Sequence, residues 1–184
     1  MQVLGISGSL RRGSHNRRLL RAAGKLLPPG VEFAEWDGLA GLPAFDEDLE
    51  TTPPEPVRQF LAAIEGADAL LIATPEYNAS LPGALKNALD WASRPFPENV
   101  LRHKPVAVIG ASTGLFGAVW AQAEVRKVLK TIGADVLEAE LAVGLADSAF
   151  GDDGRLVDPS MQDALDAIVR DLAGAASPSV DVAV

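Results

Sequence analysis

The amino-acid sequence predicts an α/β protein in which helices cover both faces of a doubly wound parallel sheet. Short, continuous apolar runs at 2–6, 69–73 and 105–110 are bounded by turn residues, as strands buried on both faces are. Between these runs, apolar residues recur with the 3.6-residue period of amphipathic helices. Strands that alternate with helices along a chain are typical of a parallel sheet with helices on both sides.

The other elements follow the same alternation, with weaker strand candidates at 31–36 and 135–143. The first helix stops at Pro28-Pro29-Gly30, a glycine ends the second and the fourth, and Pro82 suits the first turn of the third. In order along the chain, the helices are predicted at about 19–27, 57–66, 82–92, 125–133 and 160–172. Five strands and five helices in 184 residues fit a flavodoxin-like fold with the strand order 2-1-3-4-5.

A chain of 184 residues is expected to form a single domain, over residues 1–174, followed by a tail at 175–184 that frays. One segment inside the domain, residues 37–56, contains four prolines and has no usable period. Long loops in a compact domain are usually functional or disordered. The apolar Pro43 and Phe45 within it predict that this segment packs against the rest of the domain.

The composition excludes several classes of function. The net charge of −9 argues against nucleic acid as a main partner, and no apolar run reaches the roughly 18–20 residues that cross a bilayer. The absence of cysteine excludes disulfides, thiolate metal sites and a Cys nucleophile, and it predicts a reducing compartment, the cytoplasm. No spacing of His, Asp and Glu predicts a metal site, and His15 and His103 are expected on the surface.

In doubly wound sheets, ligands bind at the carboxyl ends of the strands, so the loops after the three strongest strands are candidate sites. The first loop, 7–16, mimics a P-loop but lacks its lysine, which argues against a nucleoside-triphosphate hydrolase. Its N–H groups, the hydroxyls of Ser9 and Ser14, and Arg11 can bind a phosphate at a helix N-terminus. Asn16 can bind the phosphate or order the loop. The alternative is an ordinary turn capped by Ser14.

The second and third loops offer room for a flat ring. Pro75 stiffens the second loop, Tyr77 can stack on a heteroaromatic ligand, and backbone groups near Glu76 and Asn78 can bond its edge. The alternative is that Tyr77 packs on a helix and Asn78 caps the turn. In the third loop, Ser112-Thr113-Gly114 leads to a helix whose N–H donors can stabilise negative charge on a bound ring. A tight strand-to-helix connection explains those residues equally well.

Together these three loops resemble those of the NADPH-dependent FMN reductase family, which includes bacterial quinone, chromate and azo-dye reductases of flavodoxin-like fold. The resemblance covers roughly residues 2–170. It rests on three segments: GSLRRGSHN, PEYNASLPGALKNALDW and GASTGLFGAVWAQAEVRKVLKTIGA.

The resemblance implies FMN as the ligand and assigns residues to each part of it by matching motif. The FMN phosphate would be held by Ser9, Arg11, Ser14 and Asn16. The isoalloxazine ring and ribityl chain would be flanked by Pro75, Glu76, Tyr77 and Asn78. The pyrimidine end of the ring would face Ser112, Thr113 and Gly114. The family also implies a homodimer or homotetramer with the flavin near a subunit boundary.

With FMN bound, the expected chemistry is ping-pong: NADPH or NADH reduces the flavin and leaves, and a small-molecule acceptor is then reduced at the same face. No side chain is needed as a catalyst. The alternative class is a flavodoxin-type electron carrier that binds FMN without turning over NAD(P)H, and a weaker one is a flavin- or nucleotide-sensing protein. The arginine-rich first loop and the few aromatic residues near the ring favour the reductase.

Overall fold

Every strand in residues 1–177, the part of the chain that the computed structural model describes, joins one parallel sheet. The strands are β1 (Gln2–Ser7), β2 (Glu32–Trp36), β3 (Ala69–Thr74), β4 (Pro105–Ala111), β5 (Asp135–Val136) and β6 (Leu141–Val143). They lie in the order β2-β1-β3-β4-β5, and β6 also pairs with β4. All pairings are parallel. This order confirms the flavodoxin-like sheet that the sequence predicts.

Helices cover both faces of this sheet. In the described residues they are α1 (His15–Gly24), α2 (Glu55–Glu65), α3 (Gly83–Ala92), α4 (Val119–Ile132) and α5 (Pro159–Ala176). Successive strand residues point to opposite faces. Leu71 of β3 therefore lies in the apolar core beneath α1 and α5, while its neighbours Leu70 and Ile72 lie in the core beneath α2, α3 and α4. All six residues of β3 are buried, in agreement with the apolar run at 69–73.

The strand predicted at 135–143 is wrong as a single element, because the structure divides it into β5 and β6. Four residues of β4, from Val106 to Ile109, span the same distance as six residues of the neighbouring segment, from Val136 to Leu141. The extra residues bulge out of the sheet. The guanidinium of Arg126, which is 6% exposed, donates to the carbonyl oxygens of Val108 at 2.8 Å and Leu137 at 2.9 Å.

The proline-rich segment 37–56 packs on α3, as its apolar residues predict. The carbonyl oxygen of Pro43 accepts hydrogen bonds from Asn87 Nδ2 at 2.8 Å and Trp91 Nε1 at 2.9 Å. The backbone N–H of Phe45 donates to Asn87 Oδ1, and the Phe45 ring meets the Trp91 ring edge to face at 5.0 Å. Side chains of α3 thus provide the partners that a loop without regular structure needs for its backbone.

Helix α5 extends past its predicted end and includes Ala175 and Ala176, the first two residues of the segment expected to fray. Residues 178–184, which make up most of that segment, lie outside the described residues. A single domain over 1–174 stays a prediction. Within residues 1–177, no helix combines the length and the apolar character that a bilayer crossing requires.

Candidate cofactor site

A cleft opens where the carboxyl ends of β1, β3 and β4 meet. The loops that follow these strands lead to α1 on one face of the sheet and to α3 and α4 on the other, so the cleft lies at the topological switch point. Its lining includes every predicted site residue except Asn78 and Gly114, and it adds His15 and Ala111. The structure therefore brings together residues that the sequence places in three separate loops.

Two buried hydroxyls line the first loop of the cleft. Ser14 is the N-cap of α1, where its Oγ accepts a hydrogen bond from the Arg17 N–H at 3.2 Å. Ser9 Oγ accepts one from the Arg11 N–H at 3.4 Å. In both cases the hydroxyl accepts and its own proton is left to donate. These protons and the positive end of α1 give this part of the cleft the character of an anion site.

Asn16 orders the first loop, one of the two roles that the sequence allows for it. The side chain is only 3% exposed. Its Nδ2 donates to the carbonyl oxygen of Ala111 and its Oδ1 accepts from the Ala111 N–H, both at 2.9 Å. This pair of bonds holds the first loop against the end of β4. One N–H of the amide remains available to a ligand.

The arginines near the first loop differ in their surroundings. Arg17 and Arg21 of α1 both pair with the Glu35 carboxylate, at 2.7 and 3.2 Å. Arg11 and Arg12, in contrast, form no ion pair with any residue of 1–177. Only Arg11 of these two lines the cleft. Its guanidinium is therefore a positive charge without an acidic partner in the described residues, at the edge of a site suited to an anion.

His15 lines the cleft, so the expectation that it lies on the surface is wrong. Its side chain is 13% exposed, and Nε2 lies 3.2 Å from the Asp147 carboxylate. Neither ring nitrogen makes a well-formed hydrogen bond within residues 1–177. The position of His15 directly after the N-cap of α1 is the signal that places it in the cleft. His103, with a side chain 73% exposed, lies on the surface as expected.

The second loop turns sharply beyond the cleft. Tyr77 and Ser80 exchange two backbone hydrogen bonds, at 3.0 and 3.1 Å, around Asn78 and Ala79. Both central residues have left-handed backbone conformations, with φ of 54° and 60°. Asparagine tolerates this conformation better than most residues. The structure thus places Asn78 in the turn, outside the lining of the cleft, whereas Tyr77 stays at the rim and is half exposed.

The carboxylate of Glu76 caps α4, a contact that the sequence does not reveal. Glu76 Oε2 accepts hydrogen bonds from the backbone N–H groups of Trp120 at 3.1 Å and Ala121 at 3.2 Å. The N-cap residue of this helix, Ala118, has no side chain that can do so. The prediction that the start of α4 offers N–H donors to a bound ring is therefore wrong, because Glu76 already occupies them.

The third loop is held by the neighbouring strand β6. The Ser112 N–H donates to the carbonyl oxygen of Val143 at 3.0 Å. Gly117 has φ of +58°, and a Cβ there would meet the backbone of Ala142 at 2.3 Å, so this close approach requires glycine. Thr113 lines the cleft, and its backbone N–H makes no hydrogen bond within residues 1–177. The backbone N–H of Thr113 in the third loop, and not the first turn of α4, is thus available to donate a hydrogen bond to a ligand.

The donor set fits a ligand with an anionic end and a flat end. Buried hydroxyls, an arginine without an acidic partner and a helix N-terminus converge at the first loop, whereas a proline, a tyrosine and a backbone N–H lie at the other two. Residues 1–177 contain no group of three or more His, Asp or Glu side chains positioned to bind a metal ion. Fold and cleft together define a doubly wound α/β protein with a cleft suited to a phosphate-bearing aromatic ligand.

Comparison with known proteins identifies the family. The chain belongs to the NADPH-dependent FMN reductase family, whose model matches residues 1–148. It is therefore an oxidoreductase enzyme of the FMN reductase and quinone reductase group, with FMN and NAD(P)H as its cofactors.

Individual relatives agree with this assignment. The chain is 46% identical over 160 residues to an NAD(P)H-dependent FMN reductase of Pseudomonas aeruginosa, covering 86% of this chain and 85% of that protein. It is 45% identical over 128 residues to a 2-hydroxy-1,4-benzoquinone reductase of a Burkholderia species, covering 70% and 69%. The solved structure of FerB, an NAD(P)H:(acceptor) oxidoreductase from Paracoccus denitrificans, matches with a TM-score of 0.86 and 36% identity, covering 95% of this chain and 96% of that chain.

Proposed function

We propose that the cleft binds FMN and that the enzyme transfers electrons from NAD(P)H, by a ping-pong mechanism, to a quinone, flavin, azo or metal-oxyanion acceptor. The observation that carries this proposal is the anion site of the first loop. It combines two buried hydroxyls, the N-terminus of α1 and the guanidinium of Arg11 in one wall of the cleft.

The first loop would hold the FMN phosphate. The hydroxyls of Ser9 and Ser14 would donate hydrogen bonds to the phosphate oxygens. The dipole of α1 would favour the negative charge of the phosphate. Arg11 adds a charge-assisted hydrogen bond. Asn16 acts mainly by fastening this loop to β4, with one N–H left for the ligand. The imidazole of His15 provides a further polar group in the same wall.

The second and third loops would hold the flavin ring. Pro75 and Tyr77 offer apolar surface to the ring, and Asn78 keeps Tyr77 at the rim through the turn that it forms. Thr113 offers its backbone N–H to the polar edge of the ring, and Ser112 fixes the loop that carries Thr113. FMN held by these residues would supply the two-electron redox chemistry between NAD(P)H and the acceptor. No side chain of the cleft is needed as a nucleophile.

The surface around the mouth of the cleft supports the proposal that the nicotinamide and the acceptor enter by the same opening, one after the other. Tyr77 lines the cleft and is 51% exposed. Phe116 and Trp120, which contact each other and follow the third loop along the chain, are 63% and 50% exposed. Their exposed rings give this side of the molecule an apolar surface open to solvent. An open, apolar entrance suits the nicotinamide and a flat quinone in turn. It places little restriction on the shape of the acceptor, which agrees with a broad acceptor range.

Initial-rate kinetics test this proposal. Purified protein with FMN is assayed by NADPH oxidation at several concentrations of 1,4-benzoquinone. The ping-pong mechanism predicts parallel lines in double-reciprocal plots. Converging lines would refute the single-opening mechanism. A rate no higher than that of free FMN alone would refute turnover and favour an electron carrier.

The protein is also proposed to form a homodimer or homotetramer in the cytoplasm. Leu115 and Phe116, which follow the cleft-lining Thr113 along the chain, are 72% and 63% exposed, and exposed apolar patches mark contact surfaces. The absence of cysteine suits a reducing compartment. Sedimentation velocity of the purified protein distinguishes these assemblies from a monomer, and a single species of 19.2 kDa would refute oligomer formation.

A further inference from the structure

Glu76 places a carboxylate between the cleft and the start of α4. It lines the cleft, and the same side chain accepts the N–H groups of Trp120 and Ala121 in the first turn of the helix. The negative charge of Glu76 therefore acts both on the cleft and on the N-terminus of α4. The roles assigned to the cleft above make no use of this charge.

Helix α4 needs such a partner, because it has no local cap. Its N-cap residue, Ala118, has a left-handed backbone with φ of 64° and no polar side chain. An uncapped helix N-terminus carries roughly half a positive charge on its free N–H groups. Left unpaired, this positive end would lie beside the cleft and attract negative charge there. The Glu76 carboxylate neutralises it.

A second carboxylate joins the same two elements without facing the cleft. Glu124 of α4 accepts hydrogen bonds from Ser80 Oγ at 2.5 Å and the Leu81 N–H at 3.2 Å. Two hydrogen bonds lower the pKa of the Glu124 carboxyl, and the one from the Ser80 hydroxyl has a larger effect than the one from the Leu81 N–H. Glu76 thus reaches from the second loop to the helix, and Glu124 reaches from the helix to the second loop. Glu124 is not among the residues that line the cleft, so it provides a matched control.

We propose that the negative charge of the Glu76 carboxylate keeps the reduction potential of bound FMN low. Uptake of two electrons and one proton, which a hydride from NAD(P)H supplies together, adds one negative charge to the flavin. Because Glu76 is itself negative and cancels the positive end of α4, the cleft stabilises this charge less than a cleft with a free helix N-terminus would. A low potential increases the driving force for electron transfer to the acceptor.

The other ionisable side chains of the first loop do not remove this effect. Arg11 and His15 lie in the first loop, at the end of the cleft assigned to the phosphate, whereas Glu76 lies in the loop assigned to the ring. The inference rests on the proposed placement of FMN, since the ring must lie near Glu76 to sense its charge. It concerns the cofactor's potential and is independent of the identity of the acceptor.

The test compares Glu76→Gln with Glu124→Gln. Each glutamine keeps an amide oxygen that can accept the same backbone hydrogen bonds, so the main change is the loss of one negative charge. Removal of the Glu76 charge is expected to strengthen binding of reduced FMN relative to oxidised FMN by about tenfold. For a two-electron couple, this corresponds to a rise of about 30 mV in the midpoint potential. Glu124→Gln is expected to leave the potential near that of the unmodified protein.

The midpoint potential is measured by equilibrium reduction of the FMN-loaded protein with xanthine and xanthine oxidase against a reference dye. The titration contains no NAD(P)H. A protein that holds FMN but fails to oxidise NAD(P)H would therefore refute the proposed turnover and still give a potential for this test. An equal shift in the two glutamine variants, or no shift in Glu76→Gln, would overturn the role of Glu76.

Glu76→Asp separates the charge from the position of the side chain. Aspartate keeps the negative charge on a shorter side chain, so its potential is expected to stay closer to that of the unmodified protein than the potential of Glu76→Gln. If Glu76→Asp raises the potential as much as Glu76→Gln does, the displaced loop and not the charge is responsible. That result would also overturn the proposal.

Discussion

At the scale of single residues, neighbours in the first loop have different surroundings. Arg11 lines the cleft and Arg12 does not, although both lie in one glycine-rich turn and neither forms an ion pair within residues 1–177. Arg21 lies in α1 and forms an ion pair with Glu35. The positive charge at the start of the chain therefore serves two purposes. Some arginines fasten α1 to β2, and Arg11 is left for a ligand.

Arg11→Ala is expected to weaken FMN binding by about 10- to 100-fold. A hydrogen bond to a charged group contributes about 1.5–3 kcal/mol, and this variant removes one from the phosphate. Arg12→Ala and Arg21→Ala are the controls, and each is expected to change the dissociation constant by about twofold or less. Quenching of FMN fluorescence on titration with protein gives the three constants. Equal losses in all three variants would mean that the loop acts through general charge alone.

At the scale of elements, one buried arginine joins α4 to the irregular edge of the sheet. Burial lowers the pKa of Arg126, while the nearby Glu140 and Glu138 oppose this effect. Its guanidinium supplies donors to the carbonyl oxygens of Val108 and Leu137 at the point where β5 gives way to β6. A regular strand would have satisfied these groups with its own backbone. The bulge and the arginine thus depend on one another.

Arg126→Leu is expected to lower the free energy of unfolding by about 2–6 kcal/mol. Each buried carbonyl oxygen left without a donor costs about 1–3 kcal/mol, and two are affected. The control is Lys130→Leu in the same helix, which breaks the exposed ion pair with Glu138 and is expected to cost about 1 kcal/mol or less. Urea denaturation followed by circular dichroism measures both. Similar losses in the two variants would show that Arg126 is not needed to satisfy the sheet edge.

At the scale of the whole molecule, surface carboxylates link stability to pH. Hydrogen bonds hold the pKa of four of them below their usual values, with the largest contribution from a side chain in each case. The carboxylates and their partners are Glu55 with Gln59, Glu124 with Ser80, Glu138 with Lys130, and Asp158 with Ser160. The stability they provide is fully present above the unfolded-state pKa values, 4.5 for Glu and 3.8 for Asp, and is lost as the pH falls through the lower folded-state values.

The thermal midpoint is therefore expected to be nearly constant from pH 7 to about pH 5 and to fall below that range. In a variant with all four carboxylates changed to Gln or Asn, the midpoint at pH 7 should be lower and its decline in acid should be shallower. Thermal unfolding between pH 7 and pH 3, monitored by circular dichroism on protein freed of FMN, measures the difference. A decline of the same steepness in both proteins would contradict the assignment.

The sequence predicts the framework of this protein better than the contacts within its site. The central strands are short apolar runs, and apolar residues recur in the helices with a period of 3.6. Local pattern therefore predicts the alternation of strands and helices along the chain and the placement of helices on both faces of the sheet. The site depends on bonds between distant residues. Asn16 joins Ala111, 95 positions away, and Glu76 joins Trp120, 44 positions away. No local pattern encodes such pairs, and for this reason the cap on α4 and the division of β5 from β6 were not predictable.

The position of the cleft has a consequence for the fate of the protein in a cell. Its walls come from loops attached to helices on both faces of the sheet, so FMN held in this cleft would require both layers to have assembled. A ligand that binds only the folded chain stabilises it by mass action, by about 2.7 kcal/mol at a free concentration 100 times its dissociation constant. The supply of flavin would thereby set how much of the chain escapes proteolysis, and the abundance of the enzyme would follow that of its own cofactor.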